Sequence, residues 1–176
     1  MPISIENYTP QTIIARQKRQ SLWVWSVTFA VVLLWIFSIL AAPLAARYGY
    51  DHFAASVYSF FGHICHQISA RSFHIGDEQF AVCARCFGFY SGFLTGIGIY
   101  PLFRSLDDTN SFPRFWLFAA MIPIGVDFSL TFFSVWENTH LSRLITGGIL
   151  GIACAFFIIP ALVEIAFVVQ EKMRRR

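Results

Sequence analysis

Cys65-His66-Gln67, Arg71-Ser72 and Cys83-Ala84-Arg85-Cys86 bring three thiols and an imidazole into the stretch 65–86. Thiolate and imidazole are soft ligands. Cys65, His66, Cys83 and Cys86 together make a three-sulfur, one-nitrogen set that suits Zn²⁺ in a tetrahedral site. The C-x-x-C spacing puts two ligands on one helical turn. Side chains of adjacent residues diverge, so Cys65 and His66 are an awkward pair for a single ion, and His63 and His74 are alternative nitrogen donors. A metal with an open position would lie near Arg71, Arg85 and Arg143, whose guanidinium groups suit an anion such as a lipid phosphate. The same thiols permit a second chemistry. Cys83 and Cys86 at a helix start, beside Arg85, form a dithiol of lowered pKa, with Cys65 as partner in thiol–disulfide exchange. A third reading makes the cysteines a loop staple in a structural protein or small transporter. Ser72 would be a nucleophile only with a base beside it, and none is visible in the sequence.

The elements that position these residues are apolar. Of 176 residues 56% are hydrophobic and 13% charged, against about 25% charge in an ordinary soluble domain. The apolar residues fall in long runs rather than on faces, which predicts an integral membrane protein. The class expected is all-α: a polytopic membrane helical bundle of about four transmembrane helices plus a short interfacial or re-entrant helix. A net charge of +3 is too small to suggest nucleic acid as a partner and leaves the lipid bilayer as the expected one.

The first apolar run, Leu22 to Ala46, carries no charge. It is too long for a signal-peptide core, and Arg47 rather than a clear small-residue cleavage site follows Ala46, so an uncleaved helix is expected. Phe53 to Gly62 is too short to span. The second span is expected from Gln79 to Phe103, with Asp77 as N-cap and Glu78 at the positive helix end. Gly88, Gly92 and Gly96 make a smooth stripe on it for a neighbouring helix. The third span runs from Phe115 to Phe133 and is interrupted by Pro123, Gly125 and Asp127. The fourth, Leu141 to Val168, carries Arg143 near its start, the small pair Gly147 and Gly151, and Cys154 as an inert core residue.

Four spans place both termini on one side. Arg16, Lys18, Arg19, Arg104, Arg114, Lys172, Arg174, Arg175 and Arg176 share that side, and Arg47, Arg71, Arg85 and Arg143 lie opposite. Nine basic residues against four make the first side cytoplasmic. The expected organisation is a cytoplasmic segment 1–20, a single transmembrane domain 21–170 in the plasma membrane with an extracytoplasmic Cys/His loop at 47–80, and a basic cytoplasmic tail 171–176. All five histidines then fall outside, with the cysteine motifs. Arg85 shares the glycine stripe and must point into the bundle, where a cation needs a partner. Asp127 and Glu137 are the candidates. Asp127, Arg143, Arg85, Arg71 and His140 are therefore the candidate catalytic residues beside the metal ligands.

Cys65-His66-Gln67, Arg71-Ser72, Cys83-x-Arg85-Cys86-x-Gly88-x-Tyr90, Pro123 with Asp127, and Arg143 with Thr146-Gly147 resemble a prokaryotic family of small predicted membrane proteins, a domain of unknown function. The resemblance covers residues 55–155. It implies a polytopic membrane protein and no particular reaction. Two positions depart from the family pattern: Phe128 follows Asp127 where a Gly is usual, and His140 stands three before Arg143 where an Asn is frequent.

Overall fold

A computed structural model describes residues 11–175. Four helices are long and apolar enough to cross a membrane: α1 (Gln11–Arg47), α3 (Ala84–Phe103), α4 (Phe115–Phe132) and α5 (His140–Arg174). The short α2 (Asp51–Gly62) lies between α1 and the cysteine motifs. The protein is an all-α membrane bundle. Its outward faces confirm the solvent it was built for: Leu34, Phe37, Leu102, Phe118, Ile122 and Phe132 are each more than half exposed, an apolar surface that water would not tolerate. Helix α1 begins well before Leu22, and α5 runs beyond Val168 into the basic tail. Residues 1–10 of the expected N-terminal segment, and Arg176 of the tail, lie outside the described residues.

The tightest contact is between α3 and α5, which run parallel. Gly88 and Gly92 face the backbone at Leu144 and Gly148, and Gly147 and Gly151 face the backbone at Arg85 and Phe89. A Cβ at any of these four would overlap main-chain atoms, so the two glycine pairs let the backbones meet directly. At Gly96 an added Cβ would sit 2.7 Å from that of Ala155. The register follows from this: the N-termini of α3 and α5 end at the same level. Helix α4 returns antiparallel between them in sequence and packs on α5.

Helix α1 is pinned at two depths. Trp25 Nε1 donates to Ile97 O at 2.8 Å, and Gln20 Nε2 donates to Ala166 O at 2.8 Å. The latter bond sets the start of α1 beside the end of α5. At the other end, Ile39, Ala42 and Phe61 form a core with Cys65, Ala81 and Val82, ringed by Trp35, Tyr58 and Tyr90. The cysteine loop is thus seated on hydrophobic packing.

The start of α3 differs from the sequence expectation. Residues 74–79 form a hairpin, β1 (His74–Ile75) paired antiparallel with β2 (Glu78–Gln79). Gly76 has φ +63° at the first turn position, which fits a two-residue hairpin loop with glycine there. Asp77 is in that loop and caps no helix. Phe80 N donates to Phe73 O at 2.7 Å, and Ala81 O accepts from Gln67 Nε2 at 2.9 Å. These backbone groups are committed across the loop, so the helix starts only after Cys83, its N-cap.

Candidate functional site

Two elements bring the cysteines together. Cys65 follows α2, and its N–H donates to Phe61 O at 2.9 Å. Cys83 caps α3 and Cys86 lies in its first turn. The three sulfurs lie within 4.8 Å of one another, the one such group of three His, Cys, Asp or Glu ligands among the described residues. Around a tetrahedral zinc, Zn–S bonds of about 2.3 Å place sulfurs about 3.8 Å apart. The observed separations exceed that by at most about 1 Å. Cys83 N–H donates to Cys65 Sγ at 3.2 Å, so the turn supplies a backbone donor to that sulfur, as metal-binding loops do. The Cys83 thiol is held well below its ordinary pKa, first by the Cys65 thiol and then by the Cys86 thiol. Backbone N–H groups of Cys86 and Arg85 add to this at the helix start.

Gln67 holds the loop. At φ +48° its backbone turns sharply, and its amide donates to Tyr58 O at 2.7 Å and Ala81 O at 2.9 Å. Gln79 Nε2 returns a bond to Gln67 O at 3.2 Å, and Tyr58 Oη donates to Gln79 O at 2.5 Å. Burial raises the Tyr58 pKa, with Glu78 adding to it, which keeps the phenol protonated as that donor. Gln67 stands in the Cys-His-Gln motif, but only the folded loop reveals what its amide does.

A cavity of about 460 Å³ opens beside the sulfurs. Its wall includes Cys65, Cys83 and Cys86, the arginines Arg71, Arg85 and Arg143, and His66. Arg85 forms an ion pair with Asp127, as expected from its place on the glycine stripe. Asp127 is buried and is also tied to the loop after α4. Asn138 Nδ2 donates to Asp127 Oδ2 at 2.6 Å and to Asp127 O at 2.8 Å, and Asn138 Oδ1 accepts from Thr131 Oγ1. The sequence pointed to Glu137 as the other possible partner. It is exposed, and Asn138 beside it makes the contact. Arg85 Nε is buried without a partner, so the guanidinium is not saturated by Asp127. Arg143 lies within electrostatic reach of Arg71, Arg85, Asp127 and Cys83.

Not every candidate converges. His66 lines the cavity but is exposed and stands outside the three-sulfur group. His140 packs its ring 5.6 Å from that of Phe73, away from the cavity wall. His63 Nδ1 bonds Ser59 O at 2.8 Å, and His74 Nε2 bonds Ser69 Oγ at 3.1 Å. Ser72 is buried and donates to Ile68 O at 3.0 Å, with no base beside it in that bond.

Residues 65–157, which carry the cysteines, Asp127 and Arg143, match the family described as Predicted membrane protein (DUF2085). The chain belongs to that family. An uncharacterized protein of the archaeon Methanocaldococcus jannaschii, MJ1492, is 36% identical over 140 residues, covering 77% of this chain and 90% of its own length. No solved structure matches the chain. The DUF2085 segment begins at Cys65 and ends within α5, so it contains the three cysteines, Arg71, Arg85, Asp127 and Arg143 with all of α3 and α4, and omits α1 and α2.

Proposed function

We propose that Cys65, Cys83 and Cys86 hold a zinc ion at the extracytoplasmic face of the plasma membrane, and that the adjoining cavity binds an anionic or lipid-derived substrate. The observation that carries this reading is the convergence of three sulfurs from two separate motifs within 4.8 Å. Packing alone does not require three thiols in contact. The thiolate-rich donor set favours zinc over harder cations. Three protein ligands leave a fourth position toward the cavity. His66 closes it only by turning inward from its exposed place on the wall. Left open, the ion supplies Lewis-acid polarisation to a ligand oxygen. Arg71 and Arg143 would orient the anion. The Arg85–Asp127 pair would fix the α3 and α4 ends of the wall. Nine basic residues on the side of the termini against four on the site's side support the outward orientation.

Cobalt titration of the metal-stripped protein tests the reading. Thiolate-to-cobalt absorption is expected in the unaltered chain and its loss in Cys83→Ser. Retention of that absorption in His66→Ala gives an open three-sulfur site, and its loss gives a closed one. No thiolate absorption in the unaltered chain contradicts the proposal.

Thiol–disulfide exchange is the second reading, supported by the lowered Cys83 thiol at a helix start with Cys86 one turn on. It requires a Cys83–Cys86 disulfide that forms and reduces reversibly, which mass spectrometry of alkylated protein reads directly.

A further inference from the structure

The cavity has two unlike walls. One is cationic: three arginines line it, and the carboxylate of Asp127, which pairs with Arg85 and is not itself part of the lining, leaves a surplus of two positive charges. Asp127 is consumed by Arg85 and Asn138. Among the described residues neither Arg71 nor Arg143 has a carboxylate partner. Zinc with three thiolates carries one net negative charge and offsets only half of that surplus. Cys83 Sγ and Thr139 Oγ1 already take backbone N–H groups at the N-termini of α3 and α5, so the arginines carry the positive charge here. The opposing helix end, the C-terminus of α4, is already engaged by Asn138 and the loop that follows.

The other wall is apolar and faces outward. Ile64 and Ile68 on one side, and Phe128 and Phe132 on the other, line the cavity while remaining 47%, 43%, 57% and 71% exposed. Phe128 and Phe132 belong to α4, one of the four helices long enough to span. The side of the cavity bounded by these residues therefore opens toward lipid. Depth agrees. Arg85 and Arg143 lie in the first turns of α3 and α5, about 2–5 Å along the axis from the helix ends. In α3, whose 20 residues match the thickness of the hydrocarbon core, this is near the edge of that core, within reach of the lipid phosphates for a long arginine side chain. A site for a soluble anion has no use for an apolar wall on the bilayer side, whereas a lipid needs one for its acyl chains.

We propose that the ligand of this cavity is the phosphate head of an anionic membrane lipid, admitted sideways between the end of α4 and the 64–68 segment and held by Arg71 and Arg143. This rests on reading the cavity as a substrate site, but not on the metal.

The test places the full-length chain in phosphatidylcholine nanodiscs containing a minor fraction of phosphatidic acid, and measures retained lipid by native mass spectrometry. The expected result is selective retention of phosphatidic acid that inorganic phosphate and glycerol 3-phosphate do not displace. Retention falls about tenfold or more in the Arg71→Gln/Arg143→Gln double variant. The zinc content of the same samples is read in parallel and is expected to be unchanged, which shows that the variant has folded. Lipid retention without zinc leaves this inference standing and removes the metal. Equal retention of the two lipids by the unaltered chain overturns it, as does displacement by inorganic phosphate, which would make the ligand a soluble anion. Unchanged retention in a zinc-loaded double variant overturns it too.

Discussion

Arg85 and Asp127 show how far single residues can be read. A cation on a glycine stripe of an apolar helix has to face its neighbours, and few carboxylates are within reach of it in the sequence. The ion pair follows from that reasoning and is present. Asn138 and Gln67 do not follow from it. Their amides act on backbone carbonyls whose positions depend on a left-handed turn at Gln67 and on the loop after α4, and neither has a sequence signature. Removing Asp127 leaves a partly buried guanidinium unpaired. We expect Asp127→Asn to cost about 1–3 kcal/mol, less than the about 3–5 kcal/mol of a fully buried pair, because Arg85 retains some exposure. Thermal unfolding in detergent reads this, and an unchanged midpoint would show that the clasp does not support the bundle. Gln67→Ala should leave the fold intact and loosen the metal by about 10–100-fold, the usual effect of losing a residue that positions ligands. Competition with a chelator measures it.

At the scale of elements, the glycine stripe was legible because a four-residue repeat of small residues has one efficient use in a membrane, close helix approach. The start of α3 was not legible. Asp77-Glu78 ahead of an apolar run looks like a helix cap, yet the residues that follow spend their backbone bonds on the hairpin and on Gln67, and Cys83 caps the helix instead. This displacement matters to the site, because it puts Cys83 at the N-terminus rather than a turn inside. The α3–α5 contact sets the level of Arg85 against Arg143. Gly147→Val would drive a branched side chain into the carbonyl of Arg85 and is expected to cost about 1–3 kcal/mol or more. The same change at Gly125, which faces open space, should be near neutral. A stability difference between the two variants checks the packing, and equal effects would contradict it.

For the whole molecule, composition and charge placement gave the class and the number of spans. The short α2, the hairpin and the Cys65 turn together carry the non-spanning part of the site on a hydrophobic core shared with α1. The proposed outward orientation predicts that, in intact cells, a membrane-impermeant reagent reacts with a single cysteine placed in the hairpin loop at Asp77→Cys. A cysteine at Ser111→Cys, in the loop before α4, is predicted to be protected until the membrane is broken. Reversed labelling would invert the topology and move the site to the cytoplasm. Beneath all of these lies one claim, that three converging thiols are metal ligands. The zinc-to-protein ratio of the unaltered chain, purified in detergent without chelator, tests it most directly. The account predicts about one zinc per chain, bound through deprotonated thiols and lost in Cys65→Ser. A chain free of zinc, with Cys65, Cys83 and Cys86 all reactive or with Cys83 and Cys86 joined in a disulfide, would contradict it.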